Sequence, residues 1–145
     1  MIAGTDHLAR MRLGVRPFER PYRMARALAS MAPYGMGMVG AIAGACARYP
    51  HADAMITPSG RMTFRQLWMA STALGIALQR RKIGPGDRIG LLARNDHLFV
   101  IAMLAGARVG ADVVLLNTAI AGPQLADVVA AEGVNLILHD TDLTE

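Results

Sequence analysis

The chain has 145 residues, of which 53% are hydrophobic, 5% aromatic and 18% charged; this supports one ordinary packed domain and excludes a disordered or low-complexity chain. Its formal charge of +4 is local: residues 1–30 hold six arginines against Asp6 and Glu19, and the remainder holds nine basic and nine acidic residues. A basic arm suits an anionic membrane surface or an acidic protein patch, but no zinc-finger, helix-turn-helix or aromatic RNA-binding pattern accompanies it, which argues against nucleic acid.

The single cysteine, Cys46, excludes an internal disulfide and fits a reducing compartment. The cytoplasm is therefore the expected location, with membrane association as an added reading. Cys46 and the scattered His7, His51, His97 and His139 lack the spacing of a zinc or transition-metal site.

Residues 1–19 read as a loosely ordered lead-in. Between Arg26 and Arg48 the chain carries no charge, and this stretch is near the length of a membrane span. It is rich in Ala and Gly, and Pro33 and Gly35 interrupt it. The spacing predicts two helices, about Arg20–Met31 and Gly35–Tyr49, joined at Ala32-Pro33-Tyr34; a span or a signal peptide is the competing reading. The second helix is expected to put Met38, Val39, Ile42, Cys46 and Tyr49 on one face, while Gly40 and Gly44 favour close approach of a neighbour.

From His51 to Met62 the sequence predicts a strand, a turn at Pro58-Ser59-Gly60 and a second short strand. Thr63 with Gln66 three residues later is a capping box. Phe64, Leu67, Trp68, Ser71, Leu74 and Leu78 then recur at helical spacing as a core stripe, with Trp68 as a ligand-stacking residue the competing reading. Gly75 suggests close packing in that helix, and Arg80-Arg81-Lys82 suit its C-terminus.

Gly84-Pro85-Gly86-Asp87 is a turn into an apolar strand, 88–93. A helix capped by Asn95 or Asp96 carries Leu98, Ile101, Ala102, Leu104, Ala105 and Val109. A second strand, 112–116, precedes a short helix with Pro123 at its first position, carrying Leu125, Val128 and Val129. Gly133 ends it, and a third strand covers 134–138. Both connections have βαβ length, so parallel strands and right-handed crossovers are expected. The fold class is α/β: a parallel βαβαβ unit preceded by a hairpin and N-terminal helices. Residues 1–49 read as a basic, Ala/Gly-rich leader and 50–145 as the opening portion of a larger α/β domain, because three apolar parallel strands leave edges that want partners.

Three groups sit at the carboxyl ends of the strands, where ligands bind in open α/β sheets: Arg94-Asn95-Asp96-His97, Asn117-Thr118 and His139-Asp140. Asp96 with His97, or His139 with Asp140, has the chemistry of an acid/base pair, but no nucleophile or oxyanion device stands beside either, and capping or loop anchoring is the favoured reading. There is no glycine-rich dinucleotide turn after the first strand, no Walker sequence, and no GxSxG, HExxH or CxxC motif. No catalytic, cofactor-binding or metal-binding residue is expected in this chain.

Thr63-Phe64-x-Gln66-Leu67, Ile83-Gly-Pro-Gly-Asp-Arg-Ile-Gly90, Asn95, Gly106-Ala-Arg-Val-Gly-Ala111, Val113-Val-Leu-Leu-Asn117, Pro123-Gln124-Leu125 and Leu136-Ile-Leu-His-Asp140 occur in order. This set resembles the N-terminal region of the adenylate-forming, AMP-dependent acyl-CoA synthetases, over about residues 50–140. The leader resembles that of actinobacterial long-chain fatty-acid–CoA ligases. The resemblance implies ATP-dependent formation of an acyl-adenylate, followed by attack of the coenzyme A thiol, with magnesium neutralising phosphate charge. The family's Ser/Thr/Gly-rich phosphate loop ending in lysine, its Thr-Glu adenylate motif, its ribose-binding aspartate, its hinge and its C-terminal domain with the catalytic lysine have no counterpart here. ATP, magnesium, coenzyme A and fatty acid therefore belong to the full-length family, and this chain reads as a truncated N-terminal portion, inactive alone. Where relatives often have Ser or Thr before the Pro-Gln-Leu helix, this chain has Ala121-Gly122. The competing function is a dimerisation or docking module, acting on a second copy or on the remainder of a synthetase, or a membrane-surface module driven by the leader arginines.

Overall fold

The computed structural model describes residues 21–119 and 122–141. The expected lead-in, 1–19, and Arg20 lie outside them. Helices α1 (Pro21–Met31) and α2 (Met38–Arg48) are joined by a 3₁₀ turn, Ala32–Tyr34. A hairpin of β1 (Asp53–Thr57) and β2 (Gly60–Thr63) leads into α3 (Phe64–Arg80). Then come β3 (Arg88–Leu92), α4 (His97–Val109), β4 (Asp112–Leu115), α5 (Gly122–Ala131) and β5 (Leu136–His139). The last three strands form a parallel sheet in the order β4-β3-β5.

Local chemistry sets the boundaries. The Thr63 hydroxyl accepts from the Gln66 N–H, while the Gln66 side chain accepts from the Thr63 N–H at 2.8 Å, so α3 starts at a complete capping box. The turn before β3 is closed by the Asp87 carboxylate, which accepts from the Gly84 N–H at 2.8 Å, with Gly86 at φ +91°. Asp96, not Asn95, is the N-cap of α4. The third strand begins at Leu136 rather than Val134. The Val134 N–H still bonds back to Val129, and the Asn135 side chain accepts from the Arg88 N–H at 2.8 Å, so these two residues serve the connection.

Alternation along β3 divides the core. Ile89 and Leu91 are almost fully buried, and Ile89 packs with Ala105 and Val109 of α4 and Leu78 of α3. Small residues bring α4 onto the sheet: a Cβ at Gly106 would lie 2.5 Å from the Val113 methyl. Gly75 is less constrained, since a Cβ there would meet Val109 at 3.8 Å, an ordinary contact. The other face of β3 is closed over Gly90 by Leu116, Val134 and Ile137. Helix α5 buries none of its residues, and Val128 stays exposed.

The expected face of α2 is shifted. Val39, Gly40, Ala43 and Gly44 are the buried positions, and Met38 is exposed. The cause is the small pair Gly40/Gly44, which admits the preceding turn and α1: a Cβ on Gly40 would collide with the Gly35 carbonyl, and one on Gly44 would lie 2.9 Å from the Met31 sulfur. Val39 thereby joins Leu67, Ile101 and Leu104 in a shared core cluster, with Ile42 packed against it. Among the described residues no helix is long and apolar enough to cross a membrane; the uncharged stretch is broken into two helices of 11 residues each.

Trp68 is half-buried at the edge of this cluster. Its ring meets Tyr34 edge-on at 5.5 Å, and the Arg108 guanidinium lies 3.9 Å from its centroid. The Arg108 Nη1 is buried without a hydrogen-bond partner, so the two aromatic faces take the place a carboxylate would have.

Candidate functional site at the carboxyl edge of the sheet

All three candidate groups lie where the chain leaves the parallel strands. The loop Ala93 to Asp96 follows β3, and two neighbours hold it. On one side, the Ser59 hydroxyl of the hairpin turn donates to both Asp96 oxygens at 2.6 and 2.7 Å. The Asp96 carboxylate also accepts from the His97 N–H at 2.6 Å. Thr57 Oγ1 lies 3.1 Å from His97 Nε2 and 2.9 Å from the Ser59 hydroxyl. On the other side, the Asp140 carboxylate accepts from the Arg94 N–H at 2.9 Å, and the Asp140 N–H donates to the Leu92 carbonyl. The chain after β5 is thus fixed to the chain after β3.

The Asp96 carboxyl is lowered from 3.8 to about 2, chiefly by the Ser59 hydrogen bond, then by the His97 N–H and the Thr57 hydroxyl. So weak a base does not take a proton from a serine at neutral pH. His97 Nδ1 stands 3.7 Å from Asp96 Oδ1, beyond hydrogen-bond reach. Asp96 and His97 therefore do not form an acid/base couple, although Thr57, His97 and Asp96 follow one another in space. His139 and Asp140 do not form one either: His139 Nδ1 contacts the Asp140 backbone carbonyl at 2.8 Å, and the Asp140 carboxylate is taken by Arg94. Asn117 Oδ1 accepts from the Ala119 N–H at 2.9 Å, a side-chain-closed turn after β4. Thr118 is exposed beside it. Among the described residues no three His, Cys, Asp or Glu side chains gather into a metal site.

The chain leaves β3 toward β4, while β5 flanks β3 on the opposite side, so the ends of β3 and β5 border a crevice of the kind that holds ligands in such sheets. A cavity of about 170 Å³ lies there, walled by Leu74, Leu91, Leu98, Ile101 and Leu138, with His139 and Asp140 at one side. It is smaller than the roughly 300–1,000 Å³ of typical small-molecule sites. Sequence reasoning found Asp96 and His97 but not Thr57 and Ser59, which come from a different element 37 to 40 residues away. The turn signal Pro58-Ser59-Gly60 marked the loop but not what it touches.

The AMP-binding enzyme family matches residues 42–145. The acyl-CoA ligase SID4 of Ajellomyces capsulatus is 39% identical over 74 residues, covering 50% of this chain and 13% of that protein. The long-chain-fatty-acid–CoA ligase FadD13 of Mycobacterium tuberculosis is 28% identical over 92 residues, covering 62% of this chain and 18% of that protein. In three dimensions the inhibitor-bound N-terminal domain of FACL13 from Mycobacterium tuberculosis superimposes with a TM-score of 0.67 at 25% identity, over 71% of this chain and 26% of that one. The fold is that of the N-terminal subdomain of adenylate-forming enzymes. This chain belongs to the AMP-binding enzyme family, and its relatives include fatty-acid–CoA and other acyl-CoA ligases. It spans less than a fifth of the length of the two ligases described.

Proposed function

We propose that this chain supplies the opening part of the adenylating domain of an ATP-dependent acyl-CoA ligase acting on fatty acids, and that the 145 residues do not adenylate a substrate by themselves. One observation carries this reading: at the carboxyl edge of the sheet the two carboxylates are committed to holding loops. Asp96 is bonded to Ser59 and to its own helix, and Asp140 to Arg94. What remains is a small apolar crevice and a hydrogen-bonded loop, a scaffold on which further strands and a phosphate-binding segment can be mounted. When bound, ATP, magnesium and coenzyme A supply activation of the carboxylate as an adenylate and its transfer to a thiol; this chain's contribution is to position β3 and the segment after it. A pyrophosphate-release assay of the chain with ATP, magnesium and a fatty acid should stay at the blank. Turnover well above the blank would defeat the inactivity reading.

Charge distribution favours a second, membrane-surface reading. Residues 21–82 carry eight basic side chains against Asp53 alone, while residues 83–141 carry three against six acidic ones. Tyr22, Leu28, Met36, Met69 and Ile76 are exposed in the basic half. Basic charge beside exposed apolar groups suits an anionic bilayer. Co-sedimentation with anionic vesicles at low salt, lost at high salt, is the expected result; equal binding to neutral vesicles would exclude this reading.

A further inference from the structure

The largest cavity described lies away from the sheet, between α1, the 3₁₀ turn, α2 and α3. It measures about 630 Å³, within the range of small-molecule sites. Its walls are mostly apolar and aromatic, including Tyr34, Ala43, Trp68 and Met69, and Arg26 and Arg65 stand on it. Among the described residues no acidic side chain lines it. Over residues 21–82 the one acidic side chain, Asp53, is engaged by Arg61 at 2.6 Å. Neither the Arg26 nor the Arg65 guanidinium has a hydrogen-bond or ion-pair partner among the described residues; the Arg65 backbone N–H donates to the Pro50 carbonyl at 3.0 Å. Arg26, Arg65 and Cys46 line the same groove.

The wall is preorganised. Tyr34 abuts Trp68 edge-on, and Arg108 lies over the Trp68 ring. The indole is thereby held from two sides and presents a fixed apolar surface, which lowers the ordering cost of binding.

We propose that this groove is a binding site for an amphiphilic carboxylate, with its apolar body against Trp68 and Met69 and its head group between Arg26 and Arg65. Guanidinium forks match a carboxylate through paired N–H donors. At roughly 30 Å³ for each water-sized group, a chain of about ten carbons fills around half of the space and leaves room for the hydrated head. The site does not depend on the adenylating reaction: none of its lining residues belongs to the parallel sheet or to the carboxyl edge.

Two built-in reporters line the groove, because Trp68 and Cys46 are the chain's sole tryptophan and cysteine. The test is titration of the full chain with decanoate below its micelle concentration, read by Trp68 fluorescence and by the rate of Cys46 modification with a thiol reagent. A saturable fluorescence change and a slower thiol reaction with the same midpoint are expected. Decanol, which lacks the charge, should bind at least tenfold more weakly. Arg26→Gln with Arg65→Gln should weaken decanoate at least tenfold, while Arg61→Gln should leave it unchanged. Equal affinity for decanol, the absence of saturation, or indifference to the double substitution would overturn the proposal. So would a response to phosphatidylglycerol vesicles without one to monomeric decanoate, which would instead favour the membrane-surface reading. Both arginine side chains are exposed and unpaired among the described residues, so the variant should fold; if it does not, the decanoate–decanol comparison on the unaltered chain decides.

Discussion

At the carboxyl edge of the sheet, Asp96 is bonded to Ser59 and the His97 N–H, and Asp140 to the Arg94 N–H. In the α1–α2–α3 layer, Arg26 and Arg65 line a large groove that no acidic side chain enters among the described residues. The first region has the address of an active site and the second does not, yet charge is spent internally in the first and left available in the second. Position in a fold indicates where a family builds chemistry; the partners of each ionisable group indicate what a given stretch of chain can do. The two regions share one core through Val39, Leu67, Ile101 and Leu104, so the contrast between them lies in how their ionisable groups are engaged.

The largest expected effect tests that shared core. Removing residues 1–49 takes away Val39 and Ile42 and bares Leu67 and Leu104, which are 1% and 0% exposed. A single large-to-small change in such a core costs about 2–5 kcal/mol, against a total stability of about 5–15 kcal/mol for a domain. The truncated chain should lose cooperative unfolding and its near-ultraviolet circular dichroism. A sharp denaturant transition with an unchanged midpoint would mean that the helical layer and the sheet are separate bodies, and the comparison would break.

The sequence was legible where local chemistry decides. The capping box at Thr63 and Gln66, the turn at Gly84 to Asp87, the left-handed Gly133 and the first two parallel strands are found where periodicity and turn residues put them, and the third pairs in parallel as expected. It was less legible where two distant segments meet. The buried face of α2 is displaced because Gly40 and Gly44 receive the turn and α1, a contact that helical periodicity within α2 does not contain. Val134 and Asn135 read as strand residues, but a local bond from Val134 back to Val129 and the distant contact of the Asn135 side chain with the Arg88 N–H assign them to the connection. At the candidate site, Asp96 and His97 were visible from their place after β3, whereas Ser59 and Thr57 reach them only through the docking of the hairpin. The groove was invisible for the same reason. Trp68 reads as part of a core stripe until Tyr34 and Arg108 are seen to hold it at an edge.

The smallest effect concerns the latch between the hairpin and the sheet. Asp96 has its carboxyl lowered from 3.8 to about 2 by the Ser59 hydroxyl first and the His97 N–H second. A depressed carboxyl binds its proton more weakly in the folded chain than in the unfolded one, so its contribution to stability is fully present above the unfolded value and is lost as pH falls through the folded value. Denaturant midpoints of the chain and of Asp96→Asn should therefore differ by a constant amount above about pH 5, with the unaltered chain the more stable. The gap should close between 3.8 and about 2. Because Asp96 is half-exposed, solvent screening keeps the gap small. Ser59→Ala removes the leading cause, so in that background the window should move up toward 3.8 and narrow. If Asp96→Asn shows the same pH dependence as the unaltered chain, the Asp96–Ser59 contact contributes nothing to the fold, and the carboxyl edge would then hold a free carboxylate after all, which would erase the contrast between the two regions.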